Sequence, residues 1–510
     1  MDRTKLKIAL LSDGSGGALK ADLDLLYPER VTAIDFTSEP HDGRVLRDYT
    51  HVITAVFDGK NLGKLDYAAV RRWAKRGGQV ISCLFEYAAD KGWHFAKTHV
   101  RDRVEPAMRI MVESDVTRGF AIGDSIPWYG NVSSAPDPYY NNQMYQRQIM
   151  TPIENEGTTI LARSNLNQGT VMLEERVGEG RILALDMMSP GRPFYNSHGS
   201  TNKFLFLGNF IGQSVRYGKH YPDKLSYDEF VVMMREFADA HDNVAMVAEG
   251  PCSDGREMYS LRIGEATLPT VYYGAAVHGW EWENCYGLMR MAELVAENRK
   301  LDNVDTAELN WVIMPVQNPH GFDQFTRQNA DGVDLNRNFD NSWEDYPMPQ
   351  DVPVPWDYNY KGPRAASALE TQHIQRIIDE TKPVGLIDFH TAHYVLLQPH
   401  KGDFKLIGAI HEEMKERLAD RFVCQAPYNG AYQQVNMDRI SDPTDAPYVI
   451  CYAAKQGCKA SILIEMSGNR DEMHGSVMTT DTVVELCLAM ANQCIKSAKP
   501  KRRATPRKRK

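Results

Sequence analysis

Short apolar runs alternate with amphipathic stretches over the first 215 residues. Runs typical of buried strands occupy 7–12, 31–36, 51–57, 79–84, 159–162, 170–174 and 181–187. Stretches 67–76 and 202–215 have helical spacing, and Gly77-Gly78 ends the first of them. Strands that alternate with helices predict a doubly wound α/β unit. Residues 90–158, rich in Pro, Tyr and Asn, give no clear prediction.

A second unit is predicted after a Gly- and Pro-containing boundary at 216–222. The pattern there indicates a helix at 226–241 and strands at 244–248, 259–263, 269–277, 384–389 and 460–464. A chain of 510 residues exceeds one ordinary hydrophobic core. We therefore expect one domain at 1–217 and another at 222–495.

The composition, 43% hydrophobic and 25% charged, is that of a globular protein. No run of about 18 apolar residues occurs, so no membrane span is expected. The first apolar run is short and leads into a Gly-rich turn, which favours a strand over a signal peptide. None of the eight cysteines forms a C-x-x-C pair, so we expect reduced thiols and a cytoplasmic location.

Basic residues concentrate at the C-terminus, where 496–510 carry nine Lys/Arg and no acidic residue. This segment lacks apolar residues to bury, so a disordered tail is predicted. A solvated tail is favoured over an arm that binds nucleic acid or acidic lipid. The rest of the chain is acidic, which does not favour nucleic-acid binding.

Candidate metal ligands stand at the ends of two predicted strands. His278 and Glu281 follow the run 269–277, and His390 follows 384–389. Catalytic zinc needs three protein ligands and one open position, and an α/β sheet places sites at strand ends. The alternative is a buried structural histidine with a surface glutamate, which is the usual fate of such residues.

The segment 315–339 extends this pattern. It contains an Asn-Pro-x-Gly turn and the block Gly-Val-Asp-Leu-Asn-Arg-Asn-Phe. Together with His-x-x-Glu, the strand ending Asp-x-His and a late strand ending in Glu, it resembles the zinc metallocarboxypeptidases of the carboxypeptidase A/B type. The motifs match in order over 222–495. The resemblance implies an α/β/α domain with a mixed central sheet that hydrolyses the C-terminal amide bond of a peptide.

The resemblance also implies a role for each matching residue. His278, Glu281 and His390 correspond to the ligands of one zinc ion per chain. Asp334 corresponds to the carboxylate that orients a ligand imidazole. Asn336 and Arg337 correspond to the pair that binds the substrate carboxylate. Arg327 corresponds to the arginine that stabilises the oxyanion, and Glu465 corresponds to the general base.

Several positions depart from the digestive members of that family. Trp280 replaces an arginine, Ala392 replaces a tyrosine, and His400 replaces an aromatic residue. These positions line outer subsites in the family, so the substrate is expected to differ from an ordinary extended polypeptide. The family's mobile phenol has two candidates, Tyr432 and Tyr448. The residue that sets side-chain preference falls near Ile450.

Residues 1–215 resemble, more diffusely, the class I glutamine amidotransferase-like fold. The similar features are the helix, Gly-Gly and strand at 67–84, and the Gly-Glu-Gly-Arg-Ile-Leu-Ala-Leu-Asp segment at 178–186. That family needs a nucleophilic cysteine between glycines, whereas Cys83 stands in Ile-Ser-Cys-Leu-Phe. A non-catalytic accessory domain is therefore predicted.

Three functions remain open at this point. The first is a zinc carboxypeptidase. The second is a zinc amidohydrolase or deacylase that acts on acyl-amino acids or cell-wall peptides, in which Arg337 still binds a carboxylate. The third is a non-catalytic zinc-containing binding module, which Glu465 argues against. The expected partner is a peptide or acyl-amino acid with a free carboxylate, and no membrane.

Overall fold

The computed structural model describes most of the chain in two compact units, which separate between Arg216 and Tyr217. The described residues are 5–14, 17–56, 59–83, 87, 96–98, 107–127, 149–151, 157–165, 169–185, 188–189, 192–193, 198–212, 215–221, 223–348, 353–391, 396–419, 435, 437, 440–466 and 477–499.

The first unit contains a nine-stranded sheet in the order β2-β1-β3-β4-β11-β10-β9-β6-β7. Its strands are β1 (Ile8–Ser12), β2 (Val31–Asp35), β3 (His51–Ala55), β4 (Gln79–Cys83), β6 (Ala107–Ile110), β7 (Ser125–Pro127), β9 (Thr158–Ser164), β10 (Thr170–Val177) and β11 (Gly180–Leu185). Short strands β5 (Ala96–Thr98) with β8 (Ile149–Thr151), and β12 (Met188–Ser189) with β13 (Arg192–Pro193), form two separate pairs.

This sheet is mixed. Strands β2, β1, β3, β4 and β11 run parallel to one another, as the doubly wound prediction requires. The remaining strands pair antiparallel, an arrangement that the prediction did not contain. For β10 and β11 the cause is visible at Gly178, whose positive φ of 60° allows a tight turn that folds β11 back on β10. The helices of this unit are α1 (Gly17–Leu26), α2 (Gly43–Leu46), α3 (Tyr67–Ala74) and α4 (His198–Ile211).

The second unit is built on a seven-stranded mixed sheet in the order β14-β15-β19-β16-β20-β22-β21. The strands are β14 (Val244–Pro251), β15 (Glu257–Ile263), β16 (Thr270–Ala275), β19 (Asn310–Met314), β20 (Gly385–Thr391), β21 (Leu396–Leu397) and β22 (Ala460–Met466). The four central strands β19, β16, β20 and β22 are parallel. Their side chains are buried, as expected for parallel strands covered on both faces. A two-stranded ribbon, β17 (Lys300–Leu301) with β18 (Val304–Asp305), lies apart from this sheet.

Helices cover both faces of this sheet. The elements are α5 (Tyr227–Asp239), α6 (Glu283–Glu297), α7 (Pro319–Gln324), α8 (Leu369–Thr381), α9 (Phe404–Ala419), α10 (Val449–Lys455) and α11 (Val477–Ala498). Ser226 caps α5 in a capping box with Glu229. Tyr272 packs with Ile374 and Val449 on one face, whereas the adjacent Tyr273 donates a hydrogen bond to the Cys487 carbonyl at 2.7 Å. Because successive side chains of a strand point to opposite faces, α8 and α10 cover one face and α11 the other.

Within the part of the chain that the structure describes, every helix is too short or too polar to traverse a lipid bilayer.

Candidate metal centre and active site

The structure brings His278, Glu281 and His390 together at the carboxyl ends of the parallel strands. One potential ligand atom from each lies within 4.8 Å of the others, and all three residues are buried. The two Nδ1 atoms are 3.2 Å apart, and Glu281 Oε2 is 2.9 Å from His390 Nδ1. Two ligands at about 2.0–2.1 Å on a tetrahedral ion lie roughly 3.3 Å apart, so the spacing suits zinc.

The backbone after β16 turns sharply to present the first two ligands. Ala276 adopts a left-handed φ of 52°, and Glu281 N donates to the His278 carbonyl at 3.0 Å. Gly279 packs directly against the backbone of Gly321 at the start of α7, where any Cβ would clash. Glycine is therefore required between the two ligands, because the site depends on this close approach of two segments.

Each ligand imidazole has a buried carboxylate next to its Nε2 atom. His278 Nε2 lies 3.1 Å from Asp334, and His390 Nε2 lies 2.8 Å from Asp388. A carboxylate at Nε2 places the ring proton there and leaves the Nδ1 lone pair facing the triad. Both histidines thus have the orientation that a metal ligand needs.

Glu281 is held by donors on both of its oxygens. The indole N–H of Trp280 donates to Oε1 at 3.1 Å, and the backbone N–H of Thr391 donates to Oε2 at 3.2 Å. Burial raises the pKa of Glu281, but the neighbouring His278 and His390 imidazoles outweigh it and hold the pKa well below its usual range. The carboxylate is therefore ionised and fixed, which suits a metal ligand.

Arg327 reaches the centre of the site from the side of Asp334. Its Nε donates to Asp334 at 2.7 Å, its Nη2 to Asn359 at 3.4 Å, and its Nη1 lies 3.2 Å from His278 Nδ1. The guanidinium is buried, and the ring of Tyr358 lies over it at 4.7 Å. One N–H group therefore points at the position where charge would develop beside a bound metal.

Glu465 stands beside His390 on the neighbouring strand. The two residues are partners in the parallel β20–β22 register, so their side chains project from the same face. Glu465 is only 8% exposed, and its Oε2 has no hydrogen-bond partner among the described residues. Burial raises its pKa to about 7, and the charge of Glu281 adds to this against the opposing effects of His390 and Arg327. Such a carboxyl group can take up and release a proton near neutral pH.

Asn336 and Arg337 lie in a short 3₁₀ turn that follows Asp334. Asn336 Oδ1 accepts a hydrogen bond from Val449 N at 3.0 Å, and its Nδ2 lies 3.4 Å from His390 Nε2, so the amide donor faces the site. The Arg337 guanidinium lies 4.6 Å from the Tyr448 ring and 5.7 Å from the Tyr346 ring. Its Nε is buried and has no hydrogen-bond partner in the described part of the chain. A half-buried cation with a buried, unused donor is suited to bind an anion.

Three family-based assignments concern residues around this pocket. Tyr432 and Ala392 lie outside the described residues. Tyr448, the second phenol candidate, faces Arg337 and lies 3.4 Å from the Tyr346 hydroxyl. Ile450 is fully buried in α10, and its carbonyl accepts a hydrogen bond from Ser461. His400 is exposed and pairs through its backbone with Thr444.

The sequence analysis missed the structural roles of several residues. Asp388 was noted only as part of the strand that ends at His390, although its spacing of two residues places both side chains on one face. Trp280 was assigned to an outer subsite, whereas its indole also supports Glu281. Tyr346 and Tyr358 come from a loop between the recognised motifs, and no spacing in the sequence links them to Arg337 or Arg327.

The charge of the site provides a second test for a metal. The carboxylates are Glu281, Asp334, Asp388 and Glu465, and the guanidiniums are Arg327 and Arg337. Counted as formal charges with neutral imidazoles, four carboxylates against two guanidiniums leave an excess of −2. A divalent cation neutralises this charge, so the donor set and its surroundings fit zinc.

Comparisons with known proteins agree with this geometry. The family model described as zinc carboxypeptidase matches residues 230–490, which is half of the chain. Mast cell carboxypeptidase A of Mus musculus is 26% identical over 212 residues, which cover 37% of this chain and 50% of the relative. The Homo sapiens protein of the same name is 26% identical over 214 residues, with the same coverage.

The chain thus spans about half the length of these curated relatives. Among solved structures, the carboxypeptidase A from Helicoverpa armigera covers 56% of this chain and 75% of its own, with a TM-score of 0.44 and 18% identity. The matched family model contains the whole of the assembled triad, and the predicted His-Glu-His zinc site is confirmed. The chain belongs to the zinc carboxypeptidase family.

Proposed function

We propose that this chain is a zinc-dependent carboxypeptidase that hydrolyses the C-terminal amide bond of a peptide with a free carboxylate. The observation that carries the proposal is the state of Arg337. Its guanidinium is half-buried between Tyr346 and Tyr448, and its buried Nε has no hydrogen-bond partner among the described residues. A substrate carboxylate supplies the missing acceptor, and the amide N–H groups of Asn336 add donors.

The other residues of the site have separate roles in the hydrolysis reaction. Bound zinc supplies Lewis acidity, which polarises the scissile carbonyl and makes water more acidic. Glu465 takes a proton from the attacking water and delivers it to the leaving amine, which its raised pKa permits. The Nη1 group of Arg327 donates to the oxygen on which negative charge develops. Asp334 and Asp388 keep the two imidazoles oriented.

The free carboxylate gives the sharpest test. Amidating the C-terminus of an accepted peptide should lower kcat/KM by about tenfold to a hundredfold, because a charge-assisted contact contributes roughly 1.5–3 kcal/mol. In Arg337→Met the acid and amide forms should be cleaved at similar rates. Arg235→Met, which removes an exposed arginine on α5, serves as the matched control and should keep the preference. Equal cleavage of both forms by the wild type would refute an exopeptidase and favour an endo-acting or deacylating hydrolase.

For the rest of the chain we propose an accessory domain at 1–217, a catalytic domain at 222–495 and a basic tail at 496–510, of which the first three residues continue α11. The amidotransferase-like identity of the first domain stays a prediction. Cys83→Ala should leave peptide hydrolysis intact, and glutamine should release no ammonia, because Cys83 lacks flanking glycines. Ammonia release that depends on Cys83 would overturn the accessory role. A cytoplasmic location is supported by the six described cysteines, which are buried free thiols.

A further inference from the structure

Exposed apolar side chains concentrate in one segment of the second unit. Among the described residues, nine large hydrophobic side chains are exposed, and three of them lie within five consecutive positions. Val354, Trp356 and Tyr358 have exposed fractions of 50%, 49% and 55%. We call residues 353–360 the Trp356 loop. An apolar cluster on an otherwise polar surface marks a binding surface more often than chance exposure does.

Backbone hydrogen bonds attach the Trp356 loop to the segment that carries Asp334. Trp356 N donates to the Gly332 carbonyl at 3.0 Å, and Asp334 N donates to the Tyr360 carbonyl at 2.8 Å. The Gln328 side chain donates to the Asp357 carbonyl at 3.2 Å. The loop is therefore held against the active site on both sides of its exposed rings.

The conformation of the Trp356 loop is strained. Trp356 has a φ of 74°, a left-handed value that a bulky residue rarely adopts. The loop also lies so close to the backbone of Gly332 that a Cβ at position 332 would be 2.6 Å from Trp356 N. Strain of this kind persists where the surroundings enforce it, and it is concentrated at functional sites. A smaller or more flexible residue would fit the backbone of position 356 better than tryptophan does.

The Trp356 loop also contacts the reactive centre. The ring of Tyr358 covers the Arg327 guanidinium at 4.7 Å, and Asn359 accepts a hydrogen bond from Arg327. In the proposed function the leaving residue would bind at Arg337 and the scissile carbonyl would lie beside Arg327. The acyl chain would then leave the site next to the Tyr358 ring that covers Arg327.

We propose that Trp356 and Tyr358 form a stacking subsite for an aromatic side chain on the acyl side of the scissile bond. This inference rests on the proposed peptidase function and adds a substrate preference to it. Rigid, exposed rings stack well with a second aromatic ring at little entropic cost. Of the positions next to the rings, 353–355 are Pro-Val-Pro, and the Asp357 carboxylate already accepts a hydrogen bond from Val354 N at 2.9 Å, so few side-chain groups are left for the hydroxyl groups of a sugar. An aromatic amino acid is therefore the occupant that this chemistry favours.

Binding without turnover tests the subsite directly. Tripeptides with a free carboxylate and a single Phe among Ala residues are titrated by calorimetry into zinc-loaded Glu465→Gln protein. Phe at the penultimate or antepenultimate position should bind about tenfold more tightly than Ala there. Adding Trp356→Gly or Tyr358→Leu should remove most of this difference. Trp356→Gly also relieves the left-handed strain, so its Tm should not fall.

Phe404→Ala is the matched control. Phe404 is 48% exposed at the start of α9, and the adjacent Asp403 bonds to Lys459 at the opposite end of β22 from Glu465. This variant should keep the full preference for Phe. Equal binding of Phe and Ala peptides, absence of binding by both, or a preference that survives Trp356→Gly would overturn the subsite. Tighter binding of a glycosylated tripeptide than of the Phe peptide would also overturn it and assign the rings to a sugar.

Hydrolysis by the wild-type protein separates this inference from the proposed function. If peptides are cleaved but no binding preference follows Trp356, the subsite is wrong and the function stands. If the preference follows Trp356 while no peptide is cleaved, the subsite stands and the proposed function is wrong.

Discussion

Replacing Asp388 by Asn tests how far a residue outside the ligand set controls the metal. Asp388 is fully buried in β20, and its Oδ2 lies 2.8 Å from Nε2 of His390. Asparagine has nearly the same volume and can still accept from that N–H through its carbonyl oxygen. The substitution therefore removes the negative charge behind the imidazole and leaves the packing of the strand in place.

The expected effect follows from that charge. Burial lowers the pKa of His390, but the carboxylates of Asp388 and Glu281 outweigh it and raise the pKa. The negative charge of Asp388 at Nε2 also makes the Nδ1 lone pair of His390 a stronger ligand for a metal. Loss of such a carboxylate typically weakens metal binding about 10–100-fold, which corresponds to roughly 1.4–2.7 kcal/mol.

Competition with a chromophoric zinc chelator at constant pH measures this change. Asp334→Asn provides the comparison, because Asp334 contacts both His278 and Arg327. We expect Asp388→Asn to weaken zinc binding while peptide selectivity is kept, and Asp334→Asn to weaken zinc binding and lower turnover of the zinc-saturated protein as well. Zinc affinity within about threefold of wild type in Asp388→Asn would contradict the reasoning, since the magnitude above starts at tenfold.

Two further predictions concern proton binding. Glu465→Gln should keep zinc and the fold but lose about 10²–10⁴-fold in kcat, because the amide cannot accept a proton from water; a near-normal rate at zinc saturation would assign the base to another residue. His51 in β3 is 1% exposed, and burial lowers its pKa to about 4, with a smaller effect from Arg181. The unfolded chain, with a pKa near 6.5, then binds more protons than the folded one, so the free energy of unfolding of the first unit should fall by about 2 kcal/mol between pH 7 and pH 5. Denaturant titrations at several pH values measure this loss, and an equal loss in His51→Gln would rule out His51 as its source.

The sequence was most informative where one residue type fulfils one chemical requirement. His278, Glu281 and His390 were identified because zinc accepts few ligand types and because apolar strands precede them. Three of the four central strands, β16, β20 and β22, were found for a related reason, since parallel strands buried on both faces give continuous apolar runs, whereas β19 was not predicted. These features depend on local pattern, which a single sequence contains.

Features that depend on distant contacts could not be predicted. The antiparallel half of the first sheet requires knowledge of which strands pair, and strand periodicity does not specify partners. The contacts of Tyr358 with Arg327 and of Tyr346 with Arg337 arise from a loop that lies between motifs. The need for glycine at position 279 could not be predicted, because the backbone that it contacts belongs to Gly321, which is 42 positions away.

The register of β20 with β22 has a consequence for how the active site tolerates change. His390 and Glu465 are direct partners in this ladder, so the distance between a ligand and the proposed base is set by the hydrogen-bond spacing of about 4.8 Å between strands. Insertions in surface loops cannot alter this spacing, whereas a slip of one residue would turn Glu465 to the other face. Substrate preference can therefore diverge through loops such as residues 353–360 while the hydrolytic pair stays constant.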